Sequence, residues 1–375
     1  MKLDADFDGA SIVVLGETRA GEIALALRTD SASDHRQWFC FRSFGDIGER
    51  RAFRIENASQ CELPNAWDGY RVCASYDGET WFRVPTRYDD GALRFRLTPS
   101  RRAVTFAYFA PYSHARLRRL IRRTERSDRA RVTVLGETVQ GRPIPSITFG
   151  RDSAAAARIW IIARQHPGET MASWCAEGIV DRLLDPDDPI TSALLEDAQL
   201  TVVPWVNIDG GVLGNHRTNA AGFDLNRAWQ SPDLESTPEV FAVRSAILSA
   251  GVDLFLDLHG DESIPLIFAA CCEGNPGYTP RLHALETSFL ETLALAAPGF
   301  SADEGYVPDD PGEADLTLAA NWIGERFDCL SLTLEMPFKD AEAAPDPRRG
   351  WTPQRSISFG RSLLEVALLS VPTLR

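Results

Sequence analysis

Residues 159–169 read Ile-Trp-Ile-Ile-Ala-Arg-Gln-His-Pro-Gly-Glu. A short unbroken apolar run bounded by polar residues fits a strand buried on both faces. Pro167-Gly168 turn the chain, and a helical pattern follows to Leu184. A buried strand feeding a helix is the unit of a mostly parallel α/β sheet.

The same alternation continues downstream. Leu200-Thr-Val-Val-Pro-Trp-Val206 is a second strand, and its Pro204 suggests an edge or bulge position. A helix over 238–248 precedes the strand Val252-Asp-Leu-Phe-Leu-Asp-Leu258. A helix over 285–296, the strand Leu330-Ser-Leu-Thr-Leu334 and an amphipathic helix over 356–369 complete the pattern. Upstream the character differs. Gln37-Trp-Phe-Cys-Phe-Arg42, Arg51-Ala-Phe-Arg-Ile-Glu56, Tyr70-Arg-Val-Cys-Ala-Ser75, Trp81-Phe-Arg-Val-Pro85, Leu93-Arg-Phe-Arg-Leu97 and Ala103-Val-Thr-Phe-Ala-Tyr-Phe109 read as strands without helices between them. Asp77-Gly78 and Asp89-Asp90-Gly91 supply hairpin turns. The change falls near Pro111, where Ser113 can cap a helix. The expectation is an antiparallel β-sandwich domain over 1–112, then an α/β domain over 113–375 with a mixed, mostly parallel central sheet. No internal repeat is apparent.

Charge and composition narrow the function. Thirty-nine Lys+Arg against 53 Asp+Glu give a net charge of −14, which argues against a nucleic-acid binder. Only Lys2 and Lys339 are lysines, and all other basic residues are Arg, a bias that points to a GC-rich bacterial genome. Apolar runs fall far short of the roughly 18 residues of a membrane-spanning helix. The acidic N-terminus lacks the apolar region of a secretory signal. The seven cysteines form no Cys-x-x-Cys pair, as expected of free thiols in the cytoplasm. Eight arginines between Arg116 and Arg131 read first as a solvated helix face, or else as a patch for acidic ligands through Arg118, Arg119, Arg122 and Arg123.

Sites in α/β sheets form at the carboxyl ends of strands. His166 and Glu169 follow the first strand, Asn207 the second, His259 the third, and Glu335 the fourth. The spacing of three around Pro167-Gly168 lets His166 and Glu169 reach one point. With His259 they make a His₂Glu set, the pattern of a catalytic zinc site. That donor set suits Zn²⁺, with other divalent metals left open. Each residue alone has a plainer reading, His259 as a core histidine and Glu335 as an ion-pair partner. A carboxylate following a run of leucines is nevertheless costly to bury without a partner or a metal.

The ordered set His166-Pro-Gly-Glu169, Asn207-Ile-Asp-Gly210, Gly214-Asn-His-Arg217, Gly222-Phe-Asp-Leu-Asn-Arg227, Asp257-Leu-His-Gly260 and Thr333-Leu-Glu335 resembles the zinc metallocarboxypeptidase (funnelin) family, and within it the cytosolic carboxypeptidase subfamily. Trp38-Phe-Cys-Phe-Arg42 and Tyr108-Phe-Ala-Pro-Tyr-Ser113 resemble that subfamily's N-terminal domain. The resemblance implies one Zn²⁺ per chain on His166, Glu169 and His259, with Glu335 as general base. It implies Arg217 at the developing oxyanion, and Asn226 and Arg227 on the free carboxylate of a peptide or protein C-terminus. The family's mobile tyrosine has two candidates here, Tyr278 and Tyr306. Tyr306 is preferred because it lies in the Gly/Pro/Asp-rich stretch 302–315. Arg326 is a candidate for a basic specificity pocket, whereas the six acidic residues of 302–315 would repel an acidic peptide.

Two alternatives stay open. One is a zinc amidohydrolase of the aspartoacylase kind acting on small N-acyl amino acids. The other is a non-catalytic peptide-binding relative. Serine hydrolases, zincins and Rossmann dehydrogenases are disfavoured, because Gly-x-Ser-x-Gly, His-Glu-x-x-His and a strand-following Gly-x-Gly-x-x-Gly are missing.

Overall fold

A computed structural model describes residues 1–375. Two five-stranded sheets make up the N-terminal part. The first runs Lys2–Asp4, Cys40–Phe44, Ala103–Ala107, Cys73–Ser75, Trp81–Arg83, all antiparallel. The second runs Val13–Glu17, Ile23–Ala26, Arg51–Ile55, Ala92–Leu97, Thr86–Asp89, with one parallel pairing between Ile23–Ala26 and Arg51–Ile55. Alternating side chains from both sheets meet between them. Phe53 lies 5.3 Å from Phe41, 5.1 Å from Phe95 and 5.1 Å from Phe106, centroid to centroid. Such pairs favour tilted geometries and stabilise beyond their buried area. Asp90 (φ 50°) and Gly91 (φ 72°) both take positive φ in the two-residue hairpin, the backbone that matches strand twist.

The larger sheet has seven strands in the order Ala130–Glu137, Pro143–Phe149, Ala198–Val203, Ala157–Ala163, Leu254–Asp261, Leu330–Pro337, Phe268–Ala270. The four from Ala198–Val203 to Leu330–Pro337 are mutually parallel, and the flanking pairings are antiparallel. The apolar run of Ala157–Ala163 serves two faces. Ile159 and Ile161 join the core shared with Thr170–Leu183 and Pro353–Ser370, while Trp160 and Ile162 join that of Pro238–Ala250 and Ala319–Phe327. A period of two on a sheet covered on both sides explains why every position is apolar. The helices Thr170–Leu183 and Pro353–Ser370 cross with almost no space between them. A Cβ at Gly178 would sit 2.2 Å from Ile357 O, and one at Gly360 2.2 Å from Cys175 O.

The strand Ala198–Val203 is interior and ends before Pro204, so the proline marks its end rather than an edge. A short repeat also emerges. Val14-Leu-Gly-Glu-Thr18 and Val134-Leu-Gly-Glu-Thr138 each end an edge strand and close a hairpin the same way. Thr18 Oγ1 accepts from Glu22 N at 3.1 Å, and Thr138 Oγ1 from Arg142 N at 3.0 Å. No helix is long and apolar enough to cross a membrane.

Candidate active site

The site starts at the turn after Ala157–Ala163. Arg164 adopts φ 63°, an uncommon and costly conformation for a residue with a side chain. Its buried guanidinium holds the turn, donating to Pro167 O (2.8 Å) and Tyr112 O (2.9 Å) and stacking 3.8 Å over Trp205. Burial lowers its pKa to about 9. Gly168 lets the chain pass close to His216, since a Cβ there would meet His216 Nδ1 at 2.5 Å. Glu169 is the N-cap residue of Thr170–Leu183.

This turn places His166 Nδ1 2.6 Å from Glu169 Oε1. His259, inside the strand Leu254–Asp261, brings its Nδ1 to 2.8 Å from Glu169 Oε2. Gly260 N also donates to that oxygen, at 3.1 Å. All three side chains are buried, and their donor atoms lie within 4.8 Å of one another. Burial alone would raise Glu169, but the two imidazoles outweigh it and hold the carboxyl well below its usual range. Burial would lower both histidines, yet both are raised, His166 by Glu169 and Asp224, and His259 by Asp257 and Glu169.

A second ring of groups orients the first. Asp224 Oδ1 lies 3.0 Å from His166 Nε2, and its Oδ2 accepts from Arg217 Nε at 2.8 Å. Asp257 Oδ2 lies 2.9 Å from His259 Nε2, but off the line of a hydrogen bond. Gln165 Nε2 donates to that oxygen at 2.6 Å, and Gln165 Oε1 accepts from Trp229 Nε1 at 2.7 Å. Such partners set ring orientation in metal sites. Asp224, Asp257 and Gln165 had no assigned role in the sequence reading. A signal for Asp257 was present, because positions 257 and 259 of one strand share a face.

Glu335 pairs in register with His259 on the adjacent strand. It is 6% exposed, and its Oε2 has no partner. Burial pushes its pKa well up, with Glu169, Asp261 and Glu262 adding to the effect and His259 opposing it. Arg217 is tied to the site through Asp224. Asn226 and Arg227 lie in the short turn Leu225–Arg227. Asn226 Oδ1 accepts from Ala319 N (2.8 Å), while its amide nitrogen makes no hydrogen bond to the protein. Arg227 Nη1 donates to Asn226 O at 2.8 Å, and its Nε lies 3.9 Å from Asp315 Oδ2. The ring of Tyr306 is edge-on to Phe268, and its hydroxyl donates to Asp261 Oδ2 at 2.7 Å. Arg326 is exposed at the end of Ala319–Phe327, beside Phe327 and near the start of the strand whose far end carries Glu335. Of the arginine run, Arg116 pairs with Glu177 and Arg123 with Asp181, while Arg118, Arg119 and Arg122 are exposed on one helix.

Residues 3–109 match the cytosolic carboxypeptidase N-terminal domain, and residues 118–349 match the zinc carboxypeptidase family. The chain belongs to the zinc carboxypeptidase family. A metallo-carboxypeptidase from Pseudomonas aeruginosa, solved with (2-guanidinoethylmercapto)succinic acid, superposes with a TM-score of 0.96 at 47% identity over 100% of both chains. One from Burkholderia cenocepacia gives 0.96 at 41% identity, again over 100% of both chains. Cytosolic carboxypeptidase 6 of Caenorhabditis elegans is 28% identical over 89% of this chain and 78% of its own length. The protein is thus a metallocarboxypeptidase, a peptidase hydrolase, which selects among the alternatives left open by the sequence.

This metallocarboxypeptidase carries a second cluster in Cys271, Glu273 and Glu286. Tyr278 Oη donates to Glu286 Oε1 at 3.0 Å. Burial, then Glu273, pushes Glu286 up to about 7. An unfolded glutamate titrates near 4.3. As pH rises from about 4.3 to 7, the unfolded chain releases a proton that the folded chain keeps, so stability falls across that window. Glu286→Gln is expected to stabilise the protein at pH 8 by up to about 3 kcal/mol, with most of the gain gone at pH 5. Urea unfolding at both pH values measures it, and an equal gain at both would refute the ionisation argument.

Proposed function

We propose that one Zn²⁺ is held by His166, Glu169 and His259, and that the enzyme releases single residues from the C-termini of peptides or proteins. The observation that carries this reading is the Glu169 carboxylate set between two imidazole Nδ1 atoms, with the partnerless Glu335 oxygen on the adjacent strand. Two imidazoles and a carboxylate suit zinc and leave a coordination position open. Zinc there supplies a Lewis acid and an acidified water.

The protein's own groups do the rest. Glu335 is the general base, taking a proton during attack and delivering it to the leaving amine. Its raised pKa suits both halves of that task. Arg217, held by Asp224, faces the negative charge that develops on the carbonyl oxygen. The amide nitrogen of Asn226 and the fork of Arg227 receive the terminal carboxylate, which makes the reaction exopeptidic. The succinic acid compound bound to the Pseudomonas relative carries carboxylates of the kind such a clamp accepts. Tyr306 closes over the substrate from the stretch 302–315. Residues 1–112 form the sandwich domain and 113–375 the catalytic domain. Seven free thiols and the acidic charge support a cytoplasmic enzyme that binds peptides and not nucleic acid.

The test is release of C-terminal residues from a mixed peptide library, beside the same peptides amidated at the C-terminus. Free-acid peptides are expected to be trimmed and amidated ones spared. Cleavage of N-acetylaspartate without any peptide trimming would overturn the reading.

A further inference from the structure

Among the segments of the catalytic half that the sandwich grips are residues 211–222; another is 338–351, whose Phe338 O accepts from Arg83 Nη2 at 2.6 Å. Gly9 N donates to Val212 O at 2.8 Å, and Arg28 donates to Leu213 O. Asn215 and Ser31 bond twice, Ser31 N to Asn215 Oδ1 and Asn215 Nδ2 to Ser31 Oγ, both at 2.9 Å. The contact leaves no room for a side chain. A Cβ at Gly214 would lie 2.5 Å from Ala10 O, and one at Gly222 2.1 Å from Ala32 O.

Asp30 lies at the centre of this contact and is 5% exposed. Its Oδ1 accepts from His216 N at 2.6 Å. Its Oδ2 accepts from Arg217 N at 2.8 Å, Thr218 N at 2.9 Å and Thr218 Oγ1 at 3.1 Å. Three successive backbone N–H groups thus converge on one carboxylate from the other half of the molecule, an anion-binding arrangement of backbone. The Arg217 side chain is held separately, by Asp224 at 2.8 Å and near Glu62 Oε1 at 3.7 Å. Glu62 also belongs to the sandwich, and His35 hydrogen-bonds it. Backbone and guanidinium of Arg217 are therefore both set partly from outside the catalytic sheet.

We propose that Asp30 is a positioning residue for Arg217: the sandwich domain completes the active site by fixing the backbone from which the oxyanion-facing arginine projects. This rests on the role given to Arg217 above. Arg217 is on a loop, and transition-state contacts lose effect when their donors shift by a fraction of an ångström to about one. Asp30 adds an anchor from outside to the ties the loop makes itself, such as Asn215 Nδ2 to Thr218 O at 3.0 Å.

The experiment is a double-mutant cycle on zinc-loaded full-length enzyme, measuring kcat, KM, zinc content and Tm. Asp30→Asn keeps the size but puts an amide where four donors converge. It is expected to lower kcat ~10–100-fold with KM within about threefold and zinc retained. Arg217→Ala is expected to lower kcat ~10²–10³-fold. The double variant is expected within about threefold of Arg217→Ala, because Asp30 acts through a side chain that is already gone. Equal kcat losses from Asp30→Asn in both backgrounds, or a change in Tm alone, would overturn the proposal. Wild-type kcat in Arg217→Ala would instead refute the role of Arg217, an outcome visible without Asp30. If Asp30→Asn yields no zinc-loaded protein, Asp30→Glu, which keeps the charge and moves the carboxylate, carries the same cycle.

Discussion

Glu335→Gln is expected to keep zinc and lose turnover, with kcat falling by ~10²–10⁴-fold, the range for removing a general acid–base group. The substitution keeps size and shape, so the strand Leu330–Pro337 and its register with His259 should persist. Glu335 is not among the three groups that surround the proposed metal position, so the ligand set is untouched. Stability should not fall. Burial already disfavours the charged form of Glu335, and one of its oxygens has no partner. Replacing a buried carboxyl of raised pKa by a neutral amide removes a desolvation cost that grows as pH rises. The same raised pKa sets the acid limb of the rate profile. Below it Glu335 is protonated and cannot accept a proton, so wild-type kcat/KM should fall toward low pH and residual activity of the variant should lack that limb. Kinetics across pH 5–9, with zinc measured at each step, tests both points. A variant within tenfold of wild type would remove Glu335 from the mechanism.

Much of this site was legible in the sequence, for physical reasons that differ by residue. His166 and Glu169 stand out because an apolar run ends abruptly in polar residues around Pro167-Gly168, and buried strands do not otherwise tolerate that. Glu335 stands out because it interrupts leucines. The central strands were legible since both of their faces are covered, which forces continuous apolar sequence. The edge strand Val13–Glu17 is exposed throughout and carries no alternation, whereas Ala130–Glu137 alternates only over its first five residues and buries none of them fully, so neither shows a core-facing stripe. Their shared Val-Leu-Gly-Glu-Thr has meaning only once both are seen to end in the same threonine-closed hairpin. Asp30 and Glu62 were invisible for another reason. Asp30 acts on residues nearly two hundred positions away through backbone N–H groups that any sequence provides, and Glu62 approaches the Arg217 guanidinium from a distant strand-rich segment that no local pattern links to it. Asp224 lay inside a quoted motif, but its double role, on His166 and on Arg217, depends on a turn that the motif does not specify.

Glu169→Ala should give the opposite pattern to Glu335→Gln, losing zinc first and turnover as a consequence. Glu169 joins the other two proposed ligands by polar contacts, through Oε1 to His166 and Oε2 to His259. Without it, two buried imidazoles stand edge to face with ring centroids 4.9 Å apart and no carboxylate between them. Their mutual repulsion opposes protonation, and two imidazoles alone make a poor zinc site. Zinc that binds only the folded state stabilises it by about 4 kcal/mol when free zinc is ~1,000-fold above Kd. Wild type should therefore lose Tm and all activity on chelation and regain both with Zn²⁺. Glu169→Ala should show little zinc-dependent change in Tm and activity at least ~10³-fold below wild type under the same zinc. The pair of variants separates ligand from base in a way that neither does alone. Full zinc in both would take Glu169 out of the ligand set, and loss of zinc from both would mean that Glu335 holds the metal instead of working beside it.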